Sequence, residues 1–432
     1  MSETRSFGDR LTDAVMPVLS KVANNKAIQA IQYGAMATMP LTLGTCLIAI
    51  LYNLPIESIQ NLWTSTGIGT HMNEVISVTM SLTAIYMSTF IGYFNCANRG
   101  KNGVTGAAIT LGAFLALMPH TIAYDGGEVA GLSTSYLGSN GVFAGMILAL
   151  AITGLYIWLD NKGLVVKLPD SVPPNVSASM APTFSAMIIF TLVLIIRVIF
   201  GMTPFGTYFD FVNTVIGAPI LALGSSPAAI ITVCVLAAAC WFFGIHPNTV
   251  IMCFYPVLIT LGTQNTEAFL AGNPMPNMLF VALFGYYALG GTGNTLGIAL
   301  LMPFVAKSER YKALGKLSIG PAIFNINEPL IFGLPIMLNP LFFIPLIGSA
   351  IVNCLLGIVF YKFGVFNTLN PTVSMPWVTP AFITPLFTIG ILGVAAVIIV
   401  IIVDALIYLP FFKKADRLAY EEEQAEAAAE IQ

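Results

Sequence analysis

Three polar stretches rich in glycine, proline and asparagine interrupt otherwise apolar sequence in the second half of this chain. They cover residues 244–248, 289–295 and 324–329. A break in a helix at membrane depth frees backbone N–H and C=O groups, which are tolerated only where they line a cavity. The first half has no stretches of comparable density, so we expect a binding site for a polar ligand in the second half.

Two ionisable side chains lie in these stretches, where insertion into a membrane costs about 2.5–3.5 kcal/mol and function is the default hypothesis. Glu328 precedes Pro329 and either caps a re-entrant helix or accepts a hydrogen bond from a ligand hydroxyl; we favour the second role. His246 either bonds a freed backbone carbonyl or contacts the ligand, and we again favour the ligand. Asn327, Asn248, Gly291 and Thr292 complete the predicted binding set within the stretches.

For three further residues, the sequence supports a functional role less strongly. Arg197 lies near the end of its apolar segment, so we favour a structural role with its long stem reaching the membrane surface. Asp404 lies in segment 382–412, which as one helix would be about 46 Å long against a hydrocarbon core of about 30 Å. We therefore expect a structural Asp404 at the cytoplasmic interface. Trp377, in the broken stretch 376–380, fits an interfacial belt or a ring stacked on the ligand almost equally well.

Composition limits the class of protein. The chain of 432 residues is 57% hydrophobic and 9% charged, whereas soluble domains carry about 25% charged residues. A net charge of −3 argues against nucleic acid as a partner. The six cysteines show no CxxC or paired Cys/His spacing, so neither a metal site nor a disulfide framework is expected. Without a P-loop or HExxH motif, we expect no ATP-driven pump, no metalloprotease and no cofactor.

The elements that must position the site are membrane-spanning helices. We predict an all-α polytopic membrane protein with about ten spans and with broken or re-entrant helices in its C-terminal half. An amphipathic helix in residues 1–30 leads into the first span, and the acidic tail 421–432 is most simply a solvated helix or a frayed end. The predicted spans are 31–53, 76–97, 103–124, 137–159, 180–201, 226–244, 249–262, 277–306, 339–361 and 382–412.

The loops alternate in their content of lysine and arginine, which are enriched in cytoplasmic loops. Loops 98–102, 160–180 and 307–316 are basic, whereas 54–75 and 125–136 contain no lysine or arginine. This alternation predicts that both termini are cytoplasmic. We place the boundary between two halves at 208/209, with residues 1–208 as the more regular helical part that carries subunit contacts and 209–432 as the ligand-binding part.

One of the polar stretches also resembles a family signature. The run 324–335, continued by Asn339-Pro340, closely resembles the signature of enzyme IIC of the lactose/cellobiose/diacetylchitobiose family of the bacterial phosphotransferase system. Weaker matches occur in the family order at 168–176, 241–246, 290–296 and 375–380. Two features depart from the family pattern: Pro247 stands where a glycine is expected, and no enzyme IIB domain is fused to the chain.

The resemblance implies a ten-helix homodimer in a bacterial cytoplasmic membrane that binds one sugar per subunit. A β-linked disaccharide such as cellobiose, lactose or diacetylchitobiose would be phosphorylated at its 6-hydroxyl by a separate enzyme IIB, with enzyme IIA upstream and the phosphoryl-carrying cysteine on IIB. Glu328 matches the carboxylate beside that hydroxyl, His246 matches the histidine that holds the same ring, and Asn327 and Trp377 match other lining positions. The alternative is an ion-coupled secondary sugar transporter in which Glu328 binds a proton or a sodium ion.

Overall fold

The computed structural model describes residue 21 and the ranges 24–52, 57–124, 126–166, 168–169, 172–244, 246–334, 336–337 and 339–430. Nearly all secondary structure in these ranges is helical, as predicted, and the exception is one short antiparallel hairpin in which Thr121 pairs with Ala130. Most of the amphipathic helix predicted for residues 1–30 lies outside the described residues. The chain divides into two compact units, which are described separately below.

The N-terminal unit contains residues 21–224 and 255–275. Its close packing depends on glycine: a Cβ atom on Gly106 would lie 2.5 Å from the backbone oxygen of Gly92, so helices α5 and α6 meet backbone to backbone. Its elements are α1 Lys26–Met36, α2 Met39–Tyr52, α3 Glu57–Thr66, α4 Ile68–Ser81, α5 Thr83–Ala97, α6 Gly103–Leu117, β1 Thr121–Tyr124, β2 Gly127–Ala130, α7 Thr134–Leu137, a 3-10 turn Ser139–Gly141, α8 Val142–Asn161, α9 Pro174–Met180, α10 Thr183–Gly201, α11 Tyr208–Val212, a π-helical turn Asn213–Gly217 and α12 Ala218–Gly224.

The C-terminal unit contains residues 225–254 and 276–432, of which 245, 335, 338 and 431–432 are outside the described part. Its larger apolar cluster includes the fully buried rings of Phe342, Tyr408 and Phe412, and a smaller one contains Cys234 and Cys354. Its elements are α13 Pro227–Phe242, α14 Asn248–Leu270 (whose residues from 255 onward belong to the N-terminal unit), α15 Met278–Phe284, α16 Leu296–Val305, α17 Glu309–Ile323, α18 Glu328–Gly333, α19 Pro340–Lys362, a 3-10 turn Val365–Thr368, α20 Ile383–Thr388 and α21 Ile391–Glu430.

Four helices of the described residues are long and apolar enough to cross a membrane, and the number rises to six if each of two bent pairs is one span. One bent pair is α4 with α5, at 43°, and the other is the segment 208–224 with α13. Several predicted spans are broken in the structure: 277–306 divides into α15 and α16 around the predicted polar stretch. The broken helices expected in the C-terminal half are therefore present, while the number of about ten crossings stays a prediction.

The C-terminal tail continues α21 as a helix as far as Glu430. Two acidic residues of this extension bind the turn before α17. The Asp416 carboxylate accepts hydrogen bonds from the backbone N–H of Lys307 at 2.8 Å and of Ser308 at 3.0 Å. Glu423 accepts one from the Ser308 hydroxyl at 2.5 Å and one from the Arg310 N–H at 3.2 Å. Because these N–H groups have no partner inside α17, the tail caps the helix that leads to the predicted site.

Candidate functional site

The stretch 289–295 forms a glycine loop between α15 and α16. Gly290, Gly291 and Gly293 have φ of 74°, 92° and 99°, in the left-handed region that favours glycine, and Asn294 has φ of 58°. A Cβ atom on Gly291 would lie 2.8 Å from Cβ of Asn327 and would overlap the rest of that side chain. Glycine is therefore required at 291 for two reasons, its backbone angle and its close approach to Asn327.

Polar side chains of the loop itself fix part of its backbone. The Asn294 side-chain oxygen accepts a hydrogen bond from the N–H of Leu289 at 3.0 Å. The Thr295 hydroxyl donates to the carbonyl of Gly290 at 2.8 Å. Asn294 and Thr295 are fully buried, so these bonds satisfy backbone groups that have no access to water.

The neighbouring stretch 324–328 supplies two more bonds to the loop. The Asn325 side-chain oxygen accepts from the N–H of Gly290 at 3.0 Å. The Asn327 side-chain nitrogen donates to the carbonyl of Thr292 at 2.9 Å, and Asn327 is only 2% exposed. Two of the three stretches predicted to surround one site are therefore joined directly.

Two residues far away in sequence bind the Gly293 carbonyl of the loop. The hydroxyls of Tyr408 on α21 and of Ser349 on α19 both donate to the Gly293 carbonyl, at 2.7 Å and 3.1 Å. Both side chains are completely buried. The loop conformation is thus set by the helices behind it as well as by its own residues.

Asn325 is a central residue that was not among the predicted site residues. It has a left-handed backbone with φ of 62°, which is uncommon for any residue except glycine but less so for asparagine. Its side-chain nitrogen donates to the carbonyls of Trp377 at 2.9 Å and Thr379 at 3.0 Å, while its oxygen binds Gly290. One amide therefore joins the glycine loop to the segment that carries Trp377. Its position inside the Asn-x-Asn-Glu-Pro run was the only sequence signal for this role.

Glu328 occupies the first position of helix α18 and is half-buried. Its carboxylate has no hydrogen-bond or ion-pair partner among the described residues. The unpaired N–H groups of a helix N-terminus favour a negative charge there. The carboxylate is thus free to accept a hydrogen bond from a ligand, directly beside Asn327 and the loop that Asn327 binds.

His246 is exposed and adopts a defined tautomer. Its Nδ1 accepts a hydrogen bond from the backbone N–H of Asn248 at 3.2 Å. Because a neutral imidazole that accepts at Nδ1 carries its proton on the other nitrogen, Nε2 is a donor. The ring therefore caps the start of α14 by accepting from a backbone N–H, whereas the structural alternative expected a bond to a freed carbonyl. The other nitrogen is left for the ligand contact, which stays a prediction.

Aromatic contacts bring the His246 segment to the helix that Glu328 begins. Trp241 packs edge to face against His246, with ring centroids 5.3 Å apart, and against Phe332 of α18 at 6.4 Å. Gly244, with φ of 71°, lies so close to the Met337 side chain that a Cβ atom would overlap it. The stretch 244–248 thus packs against the segment that follows the stretch 324–329.

Trp377 is 65% exposed, and its backbone carbonyl is bound by the Asn325 side chain.

The other two ionisable candidates have structural partners. Arg197 donates hydrogen bonds from Nη1 to the carbonyls of Ala116 and Met118 at the end of α6, which supports the structural role we favoured. Asp404 is 1% exposed and is enclosed by protein.

The described residues contain no group of three or more histidine, cysteine or acidic side chains that could hold a metal ion. A cavity of about 610 Å³ lies in the N-terminal unit, between α6 and α10, and contains none of the predicted site residues.

Helices broken at polar loops inside an apolar fold define a membrane transporter of a polar solute. A family model described as "Phosphotransferase system, EIIC" matches residues 33–350. The chain therefore belongs to the EIIC family, in its lactose/cellobiose/diacetylchitobiose branch, as the sequence predicted.

Curated relatives support this assignment over nearly the whole chain. The galactose-specific EIIC component of Lactococcus lactis subsp. cremoris (strain MG1363) is 37% identical, covering 97% of each chain. The cellobiose-specific EIIC component of Geobacillus stearothermophilus is 32% identical over 96% of each chain, and the oligo-beta-mannoside-specific component of Bacillus subtilis (strain 168) is 31% identical over 98% of this chain and 97% of its own.

A solved structure has the same fold. The crystal structure of the transporter ChbC, the IIC component from the N,N'-diacetylchitobiose-specific phosphotransferase system, superposes with a TM-score of 0.89 at 32% identity. The match covers 96% of this chain and 99% of that one. The protein is thus a multi-pass cytoplasmic membrane sugar permease, the EIIC component of a phosphotransferase system, and this class implies IIA and IIB partners.

Proposed function

We propose that this EIIC component carries a β-linked disaccharide and presents its 6-hydroxyl to phosphocysteine on a separate EIIB protein. The observation that carries the proposal is the half-buried Glu328 carboxylate, which has no partner among the described residues and lies next to the bonded glycine loop. Two of the three relatives described above are named for cellobiose and for oligo-β-mannosides, and the solved structure for diacetylchitobiose, which supports a β-linked disaccharide. The relative named for galactose makes a monosaccharide the first competitor to test.

In the proposed reaction, Glu328 is the general base. It accepts the proton of the sugar 6-hydroxyl while a bond forms between that oxygen and phosphorus. The bond between phosphorus and the EIIB cysteine sulfur breaks, and the thiolate leaves with its electron pair. The phosphate adds a charge of about −2 to the sugar, which opposes its return across the apolar membrane core.

The other predicted residues bind and orient the sugar in this proposal. His246 donates from Nε2 to a sugar oxygen, and the exposed ring of Trp377 stacks on a pyranose face. Asn327 keeps Gly291 and Thr292 of the loop in place beside the bound sugar. Asn248 adds a polar contact at the start of α14.

A reconstitution experiment tests the reaction. Purified protein in vesicles receives radiolabelled cellobiose outside and phosphorylated EIIB inside, and the internal product is separated by charge. We expect sugar phosphate to accumulate only when phosphorylated EIIB is present. Unmodified sugar that accumulates in response to a proton or sodium gradient would establish the ion-coupled alternative. Parallel binding measurements with lactose, diacetylchitobiose and galactose identify the preferred sugar.

We also propose that the N-terminal part carries the subunit contact of a homodimer and that both termini are cytoplasmic. A second subunit or lipid would cover the apolar face of α10, on which Met187, Leu194 and Ile199 are 59%, 60% and 54% exposed in the single chain. Crosslinking of single cysteines in membranes tests the contact. Crosslinks on α10 are expected, whereas crosslinks confined to 210–400 would contradict the proposal.

A further inference from the structure

A second buried polar cluster lies behind the glycine loop, between α19 and α21. Asp404 is 1% exposed, and its Oδ2 accepts a hydrogen bond from the side-chain nitrogen of Asn353 at 3.1 Å. Asn353 is fully buried, and its nitrogen also donates to the carbonyl of Tyr286 at 3.2 Å. These two bonds use both N–H groups of the amide.

The pair leaves one oxygen on each side chain without a partner. Asp404 Oδ1 and Asn353 Oδ1 are both buried and accept no hydrogen bond from the described residues. An unpaired buried polar atom costs about 1–3 kcal/mol, and an unpaired buried charge costs more. Turning the Asn353 amide over would not help, because its oxygen would then face two acceptors, Asp404 Oδ2 and the Tyr286 carbonyl.

Among the described residues, no cationic side chain pairs with Asp404. Of the elements that pack on α21, α16, α20 and the turn 365–368 contain no ionisable residue. The charged residues of α17 lie on a helix whose start is bound by Asp416, twelve residues or about 18 Å beyond Asp404 along α21. On α19, Lys362 is exposed and lies nine residues beyond Asn353, about 13 Å along the helix. The titratable groups left nearby are the buried phenols of Tyr286 and Tyr408 and the thiol of Cys354, which packs in a separate cluster with Cys234.

We propose that Asp404 is a proton-binding site. Its Oδ1 carries a proton and donates it to Asn353 Oδ1, while the Asn353 nitrogen donates to Asp404 Oδ2. A single proton taken from water thus supplies the missing partner of both oxygens and removes the buried charge. The two side chains then form a neutral pair, acid to amide, with two reciprocal hydrogen bonds.

The pair lies one helical turn from the residues that hold the sugar-binding loop. Ser349 precedes Asn353 by four residues on α19, and Tyr408 follows Asp404 by four on α21; both donate to the Gly293 carbonyl. In the ionised state, the Asp404 carboxylate and the Asn353 oxygen repel each other across this helix contact. The proton therefore keeps the two helices together behind the loop and preserves the position of Gly293.

Infrared spectroscopy of the full-length protein, without sugar or EIIB, tests the proton directly. We expect the C=O stretching band of a protonated carboxylic acid at neutral pH, with a shift in D2O, and we expect Asp404→Asn to lack it. Glu267→Gln is the matched control, because Glu267 already accepts bonds from the Ser139 N–H and hydroxyl, at 2.9 and 2.5 Å, as a carboxylate does. In Asn353→Leu, the band should remain and move to higher frequency, because the acid loses its hydrogen-bond partner.

Stability measurements provide a second readout. The amide of Asp404→Asn supplies an N–H where the acid has its O–H, so melting temperature should be kept and sugar affinity should stay within about twofold of wild type. Above about pH 4, where an unfolded aspartate loses its proton, the folded wild type binds one proton more than the unfolded chain. Its stability should therefore fall as pH rises above that value, and that of Asp404→Asn should fall less.

Three results would overturn the proposal. The first is a wild-type spectrum without a protonated-acid band, and the second is a band that survives Asp404→Asn. The third is a melting temperature that depends on sodium concentration in wild type but not in Asp404→Asn, because the free oxygens would then bind a cation. None of these results depends on which sugar the protein carries, so they leave the proposed transport reaction to be tested separately.

Discussion

In the C-terminal unit, the glycine loop differs from the side chains that we propose contact the ligand in the number of its internal hydrogen bonds. In the loop, Gly290, Thr292 and Gly293 have their backbone groups bound by side chains from within the loop, from 324–328 and from α19 and α21. In contrast, Glu328 has no partner among the described residues, and His246 has one hydrogen bond and one ring contact.

In the proposed site, the backbone is thus fixed before a ligand binds, while the side chains are left available. Fixing the loop before the sugar arrives lowers the ordering cost of binding. Polar side chains without internal partners can exchange water for sugar hydroxyls at little cost. Changes to the loop should therefore alter folding and binding together, whereas changes to the ligand-facing side chains should alter function alone.

The largest expected effect is on the phosphoryl-transfer rate. Glu328→Gln should lower phosphorylation by about 100-fold or more and leave measurable sugar binding, because an amide can bond a hydroxyl but cannot take its proton. Product formation with phosphorylated EIIB and sugar affinity are measured on the same preparation. Near-normal turnover would rule out the general-base role. A mutant that binds no sugar would instead make Glu328 a residue of binding.

The next largest expected effect is on melting temperature and sugar affinity when Gly291 of the glycine loop is replaced. Gly291→Ala forces a Cβ into the Asn327 side chain at a left-handed position, and overpacking of this kind costs about 1–3 kcal/mol in addition to backbone strain. Melting temperature and sugar affinity should both fall.

The matched control is Gly390→Ala. Gly390 has a similar φ of 97°, but a Cβ there meets no atom within 4 Å. Backbone strain alone therefore lowers the free energy of unfolding of this variant, by about 1–2 kcal/mol. Its sugar affinity should stay that of wild type. Equal losses in the two variants would mean that strain, and not the contact with Asn327, determines the sensitivity of the loop.

A smaller effect is expected at His246, where two roles must be separated. His246→Ala should weaken sugar binding by about 1–3 kcal/mol through loss of the Nε2 donor. His246→Asn is the sharper variant, because an asparagine oxygen can accept the same N–H two residues ahead and so keep the helix cap.

We therefore expect His246→Asn to keep the melting temperature of wild type and to share the affinity loss of His246→Ala. Calorimetry and thermal unfolding on one preparation measure both quantities. Wild-type sugar affinity in both variants, with a lower melting temperature for His246→Ala alone, would refute the ligand role.

The smallest expected effect is at Trp377. Removing a ring that stacks on a sugar should cost about 0.5–1.5 kcal/mol of binding free energy without lowering the melting temperature, since the ring is 65% exposed. Trp377→Phe should recover most of the loss. Trp158→Ala serves as the control, because that ring is 55% exposed in the N-terminal unit. Equal sugar affinity in the Trp377→Ala, Trp158→Ala and wild-type proteins would place Trp377 outside the site.

The sequence predicted the features that depend on composition and local pattern. Low charge and long apolar segments determine a helical membrane protein, because only helices or closed barrels satisfy their backbone in lipid. Polar stretches within apolar segments located the breaks at 244–248, 289–295 and 324–329, and the Asn-Glu-Pro run pointed to the family. Each of these signals lies within about twenty neighbouring residues, so no knowledge of tertiary contacts was needed.

Tertiary structure alone decided which partners the polar residues have. The length of its segment suggested a structural Asp404 at the cytoplasmic interface but indicated no partner, and the fold buries it against Asn353, which is 51 residues away. Likewise, the bond from Tyr408 to Gly293 spans 115 residues, and Asn325 reaches Trp377 across 52. Hydropathy reports how apolar a segment is but not which of its faces meets lipid and which meets protein, so these pairings could arise only from the packing of helices.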